Sequence, residues 1–323
     1  MRIRRKANKC LNCGAHISEV YNFCPKCGQE NNDNNISFGL LFREFFSNYF
    51  SLDSRFGRSI KPFLISPGTL TNAFNEGKRV RFAHPVRLYL VISLIHFTVF
   101  SFIQTQENEE SGSQTFIEMM DEVHADSLLA MHPDSIQYDP EEDFMLSDRE
   151  FALIKKMYSE NHTSKQILDS LHIEGRSFWD RMAIRRIVRL SNTTQEQINN
   201  AIIGNIPVMM FVILPLYALL LKLFYRKKGL YIQHLIHSFH IHSFAFFALT
   251  IGWLFILAFS LTEENVLFVV FLGLSIYIYF SLVRVCRQSY LMSFVKLFAM
   301  GTVYFFLLTS SIVIEAIISL IIY

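Results

Sequence analysis

Several features are missing from this chain, and each absence narrows what it does. The charged start MRIRRKANKC is followed by no apolar h-region, so no cleavable signal peptide is expected and the first membrane span is expected to act as the signal. There is no paired acidic-histidine box such as HExxH, and no nucleophile with a matching base at recognisable spacing. An enzyme is therefore the weaker expectation, and no catalytic residue is assigned. No internal repeat relates the apolar segments to one another, which weakens a transporter reading. Strong net charge is missing too: the sum is only +2, which by itself says nothing about partners because it hides a strong segregation of charge along the chain; no nucleic-acid partner is expected.

What is present is apolar. Of 323 residues, 51% are hydrophobic and 15% aromatic, too greasy for an ordinary soluble domain. The apolar residues come in blocks of membrane-spanning length rather than in 3.6-residue stripes. The expected fold class is an all-α polytopic membrane protein with about five transmembrane helices and a small N-terminal zinc ribbon. The expected spans are 85–103, 201–224, 236–260, 265–283 and 298–322. The domain order that follows is a ribbon (1–30), an interfacial amphipathic and basic segment (31–84), a first span (85–103), an outer loop (104–200) and a four-helix transmembrane region (201–323).

The ribbon rests on CLNCGAHISEVYNFCPKCG. Cys10/Cys13 and Cys24/Cys27 form two CxxC pairs, each followed by glycine (Gly14, Gly28). The thiolates of each pair converge on one ion, and the glycine lets backbone amides turn towards the sulfurs. Four thiolates close a tetrahedral Zn2+ site, so the zinc is structural; two disulfides are the competing reading of the same residues. A zinc-stapled segment this short is a folding unit and a candidate docking surface for a cytosolic protein partner. His16 is not needed as a ligand, and Cys286 reads as a packed membrane thiol.

Beyond the Asn-rich hinge at 31–35, Phe38, Leu41, Phe42, Phe45, Phe46, Tyr49 and Phe50 share one helical face. That face suits either the membrane interface or packing on the protein itself. The following segment carries Arg55, Arg58, Lys61, Lys78, Arg79, Arg81 and Arg87 up to the first span, which suits anionic lipid head groups. Within it, Gly77 can end a helix with positive φ, Lys78, Arg79 and Arg81 then meet phosphates, and Pro85 starts the span at N1. A membrane-entry device and a lipid-phosphate pocket both fit.

Basic flanks precede the first span and follow the second (Arg226, Lys227, Lys228) and the fourth (Arg284, Arg287), whereas the turn at 262–265 holds Glu263 and Glu264 with no cation. The positive-inside rule puts these flanks in the cytosol, where thiols stay reduced enough to hold zinc. The expected location is a bacterial inner membrane, multi-pass, with the N-terminus in the cytosol and the C-terminus outside. Residues 104–200 then lie outside. From Glu107 to Glu150 they carry fourteen acidic residues and one arginine. Phe178 to Leu190 is a basic amphipathic stretch suited to the outer head groups.

Ionisable residues inside a span are functional candidates because they are costly there unless paired or wet. His96, His234, His240 and His242 are candidates for a second metal or a polar site. Asn205 and Glu315, at similar depth, are candidates for a buried polar contact, and Pro207 and Pro215 for helix breaks. At 100° per residue, His234, His237 and His240 drift around one broad face while His242 points about 160° from His240, so one helix cannot offer all four to one ion. A metal there needs ligands from other spans; otherwise these are interfacial and interhelical hydrogen-bonding groups.

The order CxxCG…FCPKCGQ, SLDSRF…SPG…EGKRVRFAHPVRLYL and YxxHxxxSxHxHSF resembles a bacterial family of membrane proteins of unknown function that joins a short zinc ribbon to a multispan domain. The resemblance covers the ribbon, 36–103 and 201–260. It singles out Cys10, Cys13, Cys24, Cys27, Gly77, Lys78, Arg79, Pro85, Tyr231, His234, His240 and His242, and it implies no activity. A non-enzymatic adaptor or regulator whose ribbon docks a partner is the first functional expectation. A small-solute or lipid transporter is the alternative, and an enzyme with an intramembrane histidine-metal site the third.

Overall fold

A computed structural model describes residues 7–31 (19 excepted), 39, 54–110, 154–171 (159 and 161 excepted) and 177–322 (192 and 260 excepted). The Phe-rich helix expected at 38–50 and the acidic run lie outside the described residues, apart from Gly39 and the first few acids.

Helices α1 (Ser54–Ile65), α2 (Thr69–Asn75) and α3 (Pro85–Glu110) are followed by α4 (Ser164–Ser170), α5 (Phe178–Leu190), α6 (Gln195–Phe224), α7 (Tyr231–Phe259), α8 (Glu263–Cys286) and α9 (Tyr290–Ile322). Five of them, α3, α6, α7, α8 and α9, are long and apolar enough to cross a membrane, and the protein is a multi-pass membrane protein. Helix α6 runs on through Pro207 and Pro215, so neither proline ends it as expected. Helix α7 starts at Tyr231, five residues before the expected 236, because the histidine-rich turn is itself helical.

The chain divides into two compact units, Met1–Phe102 with Pro207–Thr309, and Ile103–Ile206 with Ser310–Tyr323. In the first, α1 and α2 form a short hairpin that packs by α2 against α7 and α8. Its core joins Phe63, Leu70 and Phe74 of the hairpin to Val86, Leu88 and Tyr89 of α3, Leu214 of α6, and Leu235, Ile236 and Phe239 of α7. Every residue from His234 to Ser243 is buried. A helix buried on all faces is enclosed rather than laid on a surface, and α7 is enclosed over these three turns.

The start and end of the GKR segment have local causes. Helix α2 stops in a Schellman motif: Lys78 N–H donates to Ala73 O (2.9 Å) and Gly77 N–H to Phe74 O (3.0 Å), with Gly77 at φ 88. Pro85 then opens α3, where its missing N–H removes no helical bond.

In the second unit, Ile154, Ile167, Leu171, Ile184 and Val188 form a small core. Thr163 starts α4 with a capping box to Gln166, and the Ser177 side chain accepts from Trp179 N–H to start α5. Part of the apolar stripe of α5 packs here: Ile184 and Val188 are fully buried, while Phe178 and Trp179 remain exposed.

Candidate metal centre and helix junction

The ribbon is two knuckles facing each other. In the first, Cys10 N–H donates to Ala15 O and Gly14 N–H to Cys10 O; in the second, Cys24 N–H donates to Gln29 O and Gly28 N–H to Cys24 O. Gly14 and Gly28 sit at φ 74 and 73, the left-handed region that a Cβ would strain. The knuckles bring Cys10 Sγ to 3.6 Å from Cys27 Sγ and Cys13 Sγ to 3.7 Å from Cys24 Sγ, and all four sulfurs lie within 4.8 Å of one another. Zn–S bonds of about 2.3 Å in a tetrahedron put sulfurs about 3.8 Å apart, so the cradle fits one zinc ion. None of the cysteines is in a disulfide.

As free thiols Cys10 and Cys27 differ. Burial pushes Cys10 up to about 12. At Cys27 burial pushes the same way, but hydrogen bonds from Asn12, the Gln29 backbone, Cys10 and Cys13 outweigh it and leave about 7. The ribbon is tied to the rest of its unit by Gln29, whose Nε2–H donates to Gly77 O at 2.7 Å in a buried contact.

The junction of α2 with α7 is the second polar centre, and its hydrogen-bonded histidines each have a different partner. His240 Nδ1 shares a hydrogen bond with Thr71 Oγ1 of α2 at 2.9 Å. His237 Nε2 shares one with Ser281 Oγ of α8 at 2.8 Å. His242 Nδ1–H donates to Ser238 O at 2.9 Å, which leaves Nε2 as the acceptor for the Tyr304 hydroxyl of α9, also at 2.9 Å. Thr250 Oγ1–H already donates to Phe246 O, so His96 Nδ1 is the donor in its 3.0 Å bond to Thr250 Oγ1. His234 makes no such bond: both its ring nitrogens are buried without a partner.

The candidates His96, His234, His240 and His242 are therefore not brought together. Among the described residues only the four cysteines gather as three or more metal-ligating atoms within 4.8 Å. Both nitrogens of His242 are committed, and a metal there would have to break one of the bonds just described.

The hairpin is held on the same side by two of its carbonyls and one side chain. Arg284 of α8 donates from Nη1 to Pro67 O at 2.5 Å, Tyr277 O–H donates to Phe63 O at 2.7 Å, and Asn72 Nδ2–H donates to Arg284 O at 3.3 Å. These partners are not announced by their own surroundings in the sequence; a threonine inside the short TLTNAF helix after SPG is the one faint signal. The GKR cations are engaged as well. Lys78 Nζ pairs with Glu76 Oε2 at 2.7 Å, and Arg79 and Arg81 lie over the rings of Phe74 and Phe82. His84, edge-on to Phe74, is held down to about 4 by burial and then by the charge of Arg79. In the second unit, Asn205 Nδ2–H donates to Ser319 Oγ at 3.0 Å, and Ser319 O–H donates to Glu315 Oε1 at 2.9 Å. The expected polar contact between the second and fifth spans thus runs through a serine.

Compared with known proteins, residues 53–97 match the model of a protein family of unknown function (DUF3667), and residues 9–31 match a zinc-ribbon domain. No curated protein and no solved structure matches the chain. The first match spans α1, α2, the GKR segment and the first half of α3, so it coincides with the hairpin and the span that follows it.

Proposed function

We propose that this protein is a non-enzymatic membrane adaptor or regulator whose zinc ribbon docks a cytosolic protein. The observation that carries the reading is an apolar group on the ribbon's outside: Val20, Tyr21 and Phe23 are exposed by 83, 54 and 61%. Zinc ligation needs none of these side chains, and a ribbon of this size has no interior in which to hide them. Lys9 and Lys26 are exposed on the same ribbon, so the partner surface that fits is an apolar pocket with an acidic rim.

The membrane reading goes with it. The protein sits in a bacterial inner membrane with the ribbon in the cytosol and the C-terminus outside. Support comes from the flanks: Lys228 after α6 and Arg287 after α8 line one common cavity with the end of α2, so the basic flanks of the second and fourth spans share one end of the helices. At that end Lys78, Arg79 and Arg81 serve membrane entry beside anionic head groups. The alternative reading, a small-solute or lipid transporter, is favoured by one observation, the Asn205–Ser319–Glu315 chain on apolar helices.

The test places a photo-crosslinking amino acid at Tyr21 in native membranes. One discrete adduct is expected, retained with zinc bound and lost in Val20→Ser/Phe23→Ser, whose zinc content is unchanged. An adduct that survives the double substitution, or none in the parent protein, would sink the docking reading.

A further inference from the structure

Four helix ends enclose a cavity of about 340 Å3: the last turn of α2, the turn after α6, the start of α7 and the end of α8. This is the compact end of the range for ligand clefts, ~300–1,000 Å3. Two cations line it, Lys228 and Arg287. The carboxylate that also lines it, Glu76, pairs with Lys78 Nζ at 2.7 Å, so the wall and its immediate neighbour hold three cations against one carboxylate. The turn carrying Lys228 is fixed from behind by Lys222, whose Nζ donates to Arg226 O (2.9 Å) and Gly229 O (2.6 Å).

The cavity also receives the N-terminus of α7, a helix of 29 residues whose first turn supplies Gln233 and His234 to the wall. Such a terminus carries partial positive charge. That alone assigns nothing, but His234 adds an independent sign. The residue is 2% exposed, lines the cavity, and has neither ring nitrogen hydrogen-bonded. A buried polar group without a protein partner calls for one, and on a cavity wall that partner is whatever fills the cavity. The chain also comes close here: a Cβ on Gly229 would fall 3.7 Å from His234 Nε2 and 2.7 Å from Gln233 Oε1.

We propose that this cavity binds the dianionic end of a phosphate monoester, held by Lys228, Arg287, the first turn of α7 and His234. A monoester brings two charges for two cations and three acceptor oxygens for the donors around it. Binding here does not depend on the ribbon docking a protein. The chemistry is shared by a phosphatidic-acid head group and a soluble phosphate ester, and the experiment separates the two sources.

Full-length protein is reconstituted in phosphatidylcholine nanodiscs and titrated with glycerol 3-phosphate by calorimetry. In a second arm, melting is compared in nanodiscs with added phosphatidic acid or added phosphatidylglycerol. The variants are Lys228→Ala/Arg287→Gly, where glycine accepts the left-handed φ of 49 that Arg287 adopts, and Lys228→Ala alone, at an exposed position. Wild type is expected to bind in at least one arm, and the double variant to bind at least about tenfold more weakly with unchanged ligand-free melting. Should the double variant melt lower on its own, a weakening in Lys228→Ala is the supporting result. A response only to glycerol 3-phosphate supports a soluble ester, a response only to phosphatidic acid the lipid, and a response to both a site that reads the phosphate alone. No response in either arm, equal binding by the charge variants, or equal stabilisation by phosphatidylglycerol overturns the proposal.

Discussion

The ribbon and the α2–α7 junction belong to one unit but are held together by different physics. Among the described residues of the ribbon the buried apolar side chains are Cys10, Ile17 and Cys24, and two of these are metal ligands. Without the ion almost no core remains. The junction joins Phe63, Leu70, Phe74, Tyr89, Leu235 and Phe239, and it pairs buried polar groups such as Thr71 with His240. It needs no ion. One part is a reversible attachment, present when zinc is present, while the other is permanent and changes only when its side chains change. The buried Gln29–Gly77 bond links the two.

The largest test of that difference removes the metal. A strong chelator, or Cys24→Ser, is expected to unfold the ribbon outright, since structural zinc contributes about 10–16 kcal/mol to such folds. The five spans and the junction are expected to stay folded, measured as an unchanged melting of the membrane domain beside lost zinc. Loss of membrane insertion in Cys24→Ser would make the two parts one cooperative unit. Acid works in the same direction: the bound form needs thiolates, and burial already favours the protonated Cys10, so zinc occupancy should fall as pH drops below neutrality.

Phe74→Ala reverses the pattern. This ring is 5% exposed, touches His84 edge-on at 5.4 Å and carries Arg79 above it. Its loss should cost about 3–5 kcal/mol of membrane-domain stability and leave zinc content alone. If zinc binding weakened equally, the separation argued above would fail.

The ease of reading these two regions from sequence differs for the same reason. All four ligands of the ribbon lie within Cys10–Cys27, and a CxxC spacing states its chemistry without a fold around it. The five spans were legible because length and apolarity are local properties, and Gly77 and Pro85 were legible because helix ends are decided by one residue each. The start of α7 was not. His234, His237 and Gln233 look too polar for a span, and only the enclosing elements make that turn membrane-compatible. The 100° rotation did show that one helix cannot offer all four histidines to one ion, but it could not supply their partners: Thr71 lies 169 residues from His240, and Tyr304 62 from His242. Likewise nothing local brings Lys228 and Arg287 to one cavity.

Thr71→Val sharpens the comparison inside the junction. The substitution keeps shape and removes the one hydroxyl that joins α2 to His240, leaving Nδ1 unpaired; Nε2 is unpaired already. A histidine with both nitrogens stranded in a buried site should cost about 1–3 kcal/mol. Thr71→Ser, which retains the hydroxyl, should recover most of the loss. If valine and serine behave alike, the bond contributes packing and nothing polar.

The smallest effect is expected on the ribbon's outer surface. At 83% exposure the Val20 side chain buries almost nothing in the folded ribbon, so Val20→Ser should change ribbon melting by no more than about 0.5 kcal/mol and zinc content not at all. Exposed apolar area adds little to the stability of a folded unit with so little core. A null result on stability together with loss of the Tyr21 cross-link separates docking from folding at a single residue. A clear fall in melting would instead mean that Val20 is covered by its own chain, and the exposed group on the ribbon would then be part of the protein's own packing.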